Sequence, residues 1–133
     1  MSNYLKGKVV VVTGAAGGFG RLIALKSSAL GASVVCSDVD ESTLNLVVQE
    51  AATDRVIGIT ADVTNLKDLQ ELVEETIERL GRVDVMINNA GIMPLAFYQD
   101  HEKAIEAWHN CIDINIKGVL NGIVAVYDQM ILQ

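Results

Sequence analysis

The chain has 133 residues, half of them hydrophobic, a single proline and a formal net charge of −7. That length suits one domain, residues 1–133, able to bury roughly two-thirds of its unfolded surface, and the apolar content excludes a disordered chain. The acidic balance argues against a nucleic-acid or anionic-membrane partner, no apolar run reaches the roughly eighteen residues of a membrane span, and Met1–Lys8 lacks the apolar core of a secretory signal, so the expected setting is cytoplasmic.

The first element is Val9-Val10-Val11-Val12, a β-branched run of the kind buried on both faces at the centre of a parallel sheet. It breaks into Thr13-Gly14-Ala15-Ala16-Gly17-Gly18-Phe19-Gly20, and a helical pattern follows. The order is strand, phosphate loop, helix. Gly14 suits a tight exit from the strand, Gly18 removes a Cβ where a pyrophosphate must approach, and Gly20 lets the helix sit close on the sheet. The N–H groups and positive dipole end of that helix would face the anion. Leu22, Ile23, Leu25, Ala29 and Leu30 carry the helix from Gly20 to Leu30, and Gly31 stops it.

Ser33–Asp38 reads as a second strand, with Asp38 twenty residues beyond Gly18. An acid there either accepts hydrogen bonds from the ribose hydroxyls of an adenosine, repelling a 2′-phosphate, or caps the next helix, Ser42–Glu50. No Arg or Lys lies in the glycine loop or directly after Asp38, which favours NAD over NADP. Cys36 and Cys111, far apart and without metal-ligand spacing, read as reduced structural thiols; no metal site is expected.

Arg55–Thr60 predicts a third strand, Ala61-Asp62-Val63-Thr64 a turn, and Asn65 the cap of an amphipathic helix that Gly81 ends. The acidic outer face of that helix reads as solvated surface. Val83–Ile87 is the fourth strand, running into Asn88-Asn89-Ala90-Gly91, which alone could be an ordinary turn. Ile92–Ala96 is loop. From Glu102 a helical pattern runs to the end of the chain, with a kink expected near Asp113-Ile114-Asn115; His101, His109 and Lys117 read as exposed.

Four motifs in this order resemble the classical short-chain dehydrogenases/reductases: Thr13-Gly14-x-x-x-Gly18-x-Gly20, Asp62-Val63, Asn88-Asn89-Ala90-Gly91, and the Asp113–Gly118 context of Asn115. The resemblance spans Lys6 through the final helix. It implies an α/β, Rossmann-like doubly wound parallel sheet, truncated at about four strands in the order 3-2-1-4 with flanking helices. The dinucleotide contacts it implies are Gly14, Gly18, Phe19, Gly20, Asp38, Val39, Asp62, Val63, Asn89, Ala90 and Gly91. Asp62 and the Val63 backbone would flank the adenine, Asn89 and Ala90 would line the cleft beside the ribose, and Asn115 would hold a water of the active-site proton relay.

The family reaction is NAD-dependent hydride transfer between alcohol and ketone, with a Tyr-x-x-x-Lys pair and a Ser that follow this final helix in the family. Nothing here substitutes for them: Tyr4 and Lys8 precede the first strand, Tyr127 has Ile131 in place of the Lys, and Lys103 is at the wrong spacing from Tyr98. The expectation is therefore the NAD-binding half of an oxidoreductase, not catalytic by itself. The alternative is a non-catalytic nucleotide-binding or interaction module that pairs with a full-length relative. With no fifth strand beside the fourth, that edge or the final helix is expected to draw copies into a homo-oligomer.

Overall fold

A computed structural model describes residues 3–133; the first two residues of the Met1–Lys8 stretch lie outside the described residues. Four parallel strands, β1 (Val9–Thr13), β2 (Ser33–Asp38), β3 (Val56–Thr60) and β4 (Val85–Ile87), form one sheet in the order β3-β2-β1-β4. This is the expected doubly wound order. The helices are α1 (Gly18–Ala29), α2 (Glu41–Ala51), α3 (Leu66–Leu80), α4 (His101–Ile112) and α5 (Gly118–Leu132).

Because side chains alternate across a strand, the valines of β1 feed two cores. Val10 and Val12 join Val34, Cys36, Ala24, Leu44 and Val47 under α1 and α2, whereas Val11 joins Val35, Leu69, Leu72, Val73 and Val126 under α3 and α5. β1 is buried along its whole length, as its composition predicts. Burial also pushes the Cys36 thiol up to about 12, so it stays protonated at neutral pH. Among the described residues no helix is long and apolar enough to cross a membrane.

Several boundaries differ from the sequence reading, each for a local reason. α1 begins two residues early, at Gly18, with the extended Gly17 as its N-cap. β4 begins at Val85, because the backbone N–H and carbonyl of Val83 pair with the side-chain amide of Gln133 at the end of α5. The long terminal helix is interrupted at the expected place by a π-helical stretch, Asp113–Lys117. α5 then lies low on the sheet: a Cβ on Gly118 would stand 2.7 Å from Val63 Cγ2, and one on Gly122 would overlap Asn88 Oδ1. Asn121 adds a hydrogen bond from Nδ2 to the Val63 carbonyl, at 2.9 Å.

The N-terminal end of the sheet is held by Asp84, whose carboxylate accepts from Val9 N–H at 2.9 Å and pairs with Lys8 and Arg82. Burial alone would raise this carboxyl; the Val9 N–H, the Lys8 ammonium and the Arg82 guanidinium more than offset it and hold it below its ordinary value. A depressed carboxyl contributes stability that is present above its unfolded pKa, about 4, and lost as pH falls through the folded value. Asp84→Asn is expected to lower stability at neutral pH by about 1 kcal/mol and to flatten the acid limb of the stability curve below about pH 4, read by urea titration across pH.

Candidate functional site

All four strands end on one side of the sheet, and the segments leaving them converge there. In open α/β sheets ligands occupy the crevice outside these carboxyl ends. Two adjoining cavities lie at this edge. One, of about 150 Å³, is lined by residues that include Gly14, Asp38, Val39, Asp62, Val63, Ala90 and Gly91. The other, of about 400 Å³, is lined by Gly17, Gly18, Phe19 and Asn89 and shares Gly14, Asp38, Ala90 and Gly91 with the first. Together they form one elongated cleft.

The glycine loop owes its shape to two residues in the left-handed region, Gly14 at φ +65° and Gly18 at φ +51°. A Cβ on Gly14 would lie 2.7 Å from Ala90 Cα, whereas one on Gly18 would meet no protein atom. Gly14 therefore makes room for the Ala90 segment. Gly18 leaves open space beside the start of α1. Gly20 lines neither cavity; it is buried where a Cβ would overlap the Gly14 carbonyl, which seats α1 against the loop.

The N-terminus of α1 has no side-chain cap, while Asp40 caps α2 by accepting from Thr43 N–H and Asn65 caps α3 by accepting from Lys67 N–H. Those N–H groups, with the positive end of the helix dipole, make a fitting cradle for an anion. No Lys or Arg lines either cavity. Arg21, one residue beyond the loop, pairs with Glu50 on α2. Any phosphate in the cleft would thus rest on backbone donors.

Asp38 stands where the two cavities meet. It does not cap α2, since that position belongs to Asp40, which a bidentate set of bonds from Thr43 and Ser42 holds near a pKa of about 2. Asp62 accepts from both N–H and hydroxyl of Thr64, so its carboxylate shapes the turn after β3, and Val63 is buried beneath it. The Asn89 side chain is spent inward: Nδ2 donates to the carbonyls of Thr13 at 3.0 Å and Gly14 at 3.2 Å. Ala90 and Gly91 present backbone to the cleft.

Ten of the eleven cofactor-contact candidates line the cleft, Gly20 being the exception. Asn115 lines neither cavity. It sits in the π-helical stretch, where Oδ1 accepts from Ile92 N–H and Nδ2 donates to the Ile92 carbonyl, both at 2.8 Å, so the side chain fixes the residue that follows Gly91. Sequence reasoning missed Thr13 as a hub: its hydroxyl, 1% exposed, accepts from Asn89 N–H at 3.1 Å and Ala90 N–H at 3.2 Å. A polar residue closing an otherwise all-valine strand was the available signal. Ile92 and Ile114, which line the smaller cavity, gave none.

Comparison with known proteins agrees with this geometry. The family model described as short chain dehydrogenase matches residues 8–133. An uncharacterised oxidoreductase of Listeria monocytogenes is 42% identical over 134 residues, which cover 97% of this chain and 52% of that protein. A 3-oxoacyl-[acyl-carrier-protein] reductase of Thermotoga maritima is 36% identical, over 97% of this chain and 52% of its own length. Among solved structures, a short-chain dehydrogenase/reductase of Burkholderia phymatum in complex with NAD superposes with a TM-score of 0.89 at 36% identity, covering 98% of this chain and 46% of that one. The chain spans about half the length of the curated relatives it matches. On its sheet order, its glycine loop and this match over nearly its whole length, the chain belongs to the short-chain dehydrogenase family.

Proposed function

We propose that residues 1–133 act as one dinucleotide-binding domain, the NAD-binding half of a short-chain oxidoreductase. One observation carries this reading: a single cleft joins an uncapped helix N-terminus behind a glycine loop to a strand-end carboxylate, Asp38, with no cation along it. The pyrophosphate is assigned to the N–H groups from Gly18 to Gly20, and the adenine to the cavity between Val39, Asp62 and Val63, beside Ala90 and Gly91. Phe19 stands 79% exposed at the mouth and closes the loop side. Asp38 is assigned to the ribose hydroxyls, where its charge disfavours a 2′-phosphate, so NAD is preferred to NADP. NAD supplies a hydride acceptor, and NADH a hydride donor, for alcohol and ketone interconversion. That reaction is proposed for a protein of the relatives' length, with Asn115 in its active site; these residues by themselves are proposed to bind and not to turn over.

Calorimetric titration of the folded chain with NAD and with AMP tests the reading. Similar affinities for both are expected, since the contacts named here lie on the adenosine and pyrophosphate side. Absence of binding by either, with circular dichroism reporting a folded chain, would overturn it.

A second reading concerns association. Leu120, Ile123, Val124, Tyr127 and Ile131 on α5 are each about half exposed or more, next to the open edge of β4. So much apolar surface on one face marks an interaction site. We propose that copies of the chain, or the chain and a full-length relative, associate through it, in a cytoplasmic setting. Sedimentation at micromolar concentration is expected to show a species larger than 14.3 kDa, and a clean monomer would refute self-association.

A further inference from the structure

Asp38 does more than face the cleft. Its Oδ2 accepts from Ala16 N–H at 3.0 Å and its Oδ1 from Asp40 N–H at 3.2 Å. Ala16 is the middle of the glycine loop, between the two left-handed residues Gly14 and Gly18. The neighbouring Ala15 N–H donates to the Ser37 carbonyl at 3.0 Å, and Ala15 is fully buried. The loop is thus tied to the end of β2 at two consecutive amides. One tie is backbone to backbone; the other depends on a single carboxylate. Ala15 is also packed in the core under α1 and α2, whereas the half-buried Ala16, followed by the conformationally free Gly17 and Gly18, is held at its amide by the Asp38 carboxylate.

From this we infer that Asp38 is a positioning residue for the phosphate loop as well as a ribose acceptor: its carboxylate latches Ala16 and so sets the amides of Gly17 to Gly20 in the arrangement that receives a pyrophosphate. The inference rests on the nucleotide-binding reading above and deepens it. Each carboxylate oxygen accepts one N–H and keeps lone-pair capacity for a ribose hydroxyl. Loop shape and cofactor choice then reside in the same group. Replacing Asp38 to admit a 2′-phosphate releases the loop, so affinity falls even for ligands that have no hydroxyl to lose.

The test separates the two roles with a ligand that lacks the hydroxyls. ADP and 2′,3′-dideoxy-ADP are titrated calorimetrically into the wild-type chain and into Asp38→Ala, and amide hydrogen exchange is read at Ala16, with Val11 in the buried strand as the internal reference. The wild type is expected to bind both nucleotides. Asp38→Ala is expected to lose about five-fold or more in affinity for dideoxy-ADP, the scale of one net hydrogen bond, and to exchange faster at Ala16 with Val11 unchanged. Equal dideoxy-ADP affinity in the two proteins, or unaltered exchange at Ala16, would overturn the latch. If the wild type binds neither nucleotide, the nucleotide-binding reading fails by itself, and the exchange comparison still decides the latch. Should Asp38→Ala not fold, Asp38→Asn, which keeps one oxygen, carries the same comparison, with a smaller loss of the same sign expected and no change again overturning the inference.

Discussion

Gly20→Ala is expected to destabilise the chain by about 3 kcal/mol, the upper range for an overpacked site, and to abolish nucleotide binding. The added methyl would overlap the Gly14 carbonyl oxygen and stand 2.8 Å from the Gly14 carbonyl carbon and 2.6 Å from Asn89 Nδ2. Two of these neighbours are backbone, and the third is held by its bonds to Thr13 and Gly14, so none of them yields cheaply. Relief requires α1 to lift from the loop, which moves the helix N-terminus away from the cleft. For a domain whose total stability is of the order of 5–15 kcal/mol, such a loss is visible as a large drop in the urea midpoint. Gly18→Ala provides the contrast. Its Cβ meets nothing, so only the left-handed backbone penalty of about 1 kcal/mol applies to folding, while the methyl intrudes where the ligand's phosphates are assigned. The pair should therefore separate folding from binding: both variants lose affinity, and only Gly20→Ala loses much stability.

Thr13→Val, nearly isosteric, is expected to lower stability by about 1–3 kcal/mol, with Thr13→Ser restoring most of it. The side chain is 1% exposed, so water cannot replace the lost oxygen. Asn89 N–H retains a second acceptor in the Ile87 carbonyl at 3.0 Å, but the Ala90 N–H would keep none of its protein partners. The cost is that of one part-buried donor left without its protein acceptor, and it falls on the segment that forms the floor of the cleft. Thermal unfolding followed beside NAD titration should show both quantities falling together in Thr13→Val and recovering together in Thr13→Ser. A valine variant as stable as the parent would mean that the Ala90 amide finds another acceptor.

The architecture was legible because its signals are local. The valines of β1 and the leucines of α3 carry periods that belong to one kind of element, and glycine placements mark the turns between them. The strand order followed from the alternation of strands and helices together with the family resemblance that the four motifs carry. What escaped was pairing at a distance. Asp38 and Asp40 both precede α2, and a two-residue offset, fixed only when the loop closes over β2, decides that Asp40 caps the helix while Asp38 turns to Ala16. Asn115 drew notice through the family resemblance, yet its partner, Ile92, lies across a loop whose course no periodicity describes. Gln133 shortens β4 by taking up the backbone groups of Val83, a contact fifty residues apart in sequence. Gly118 and Gly122 could have been read: two glycines one turn apart in a helix lower its intrinsic stability, and they are retained where the helix must approach something closely.

That approach gives the π-helical stretch a meaning beyond a bend. Such a turn contains one residue more than an α-turn, so the five residues Asp113–Lys117 act as a phase adjuster between two helices that would otherwise share one register. Ahead of it, α4 leads into Ile114 at the cleft and Asn115 at Ile92; behind it, Gly118, Gly122 and Val126, spaced by four, turn one face toward the sheet. Were the same residues wound as a plain α-helix, the extra residue would rotate α5 by about 100° about its axis and swing bulky side chains into the places that the glycines keep clear. The count of residues in this segment, as much as their identity, is thus part of what lets one continuous run of helix serve both the cleft and the core.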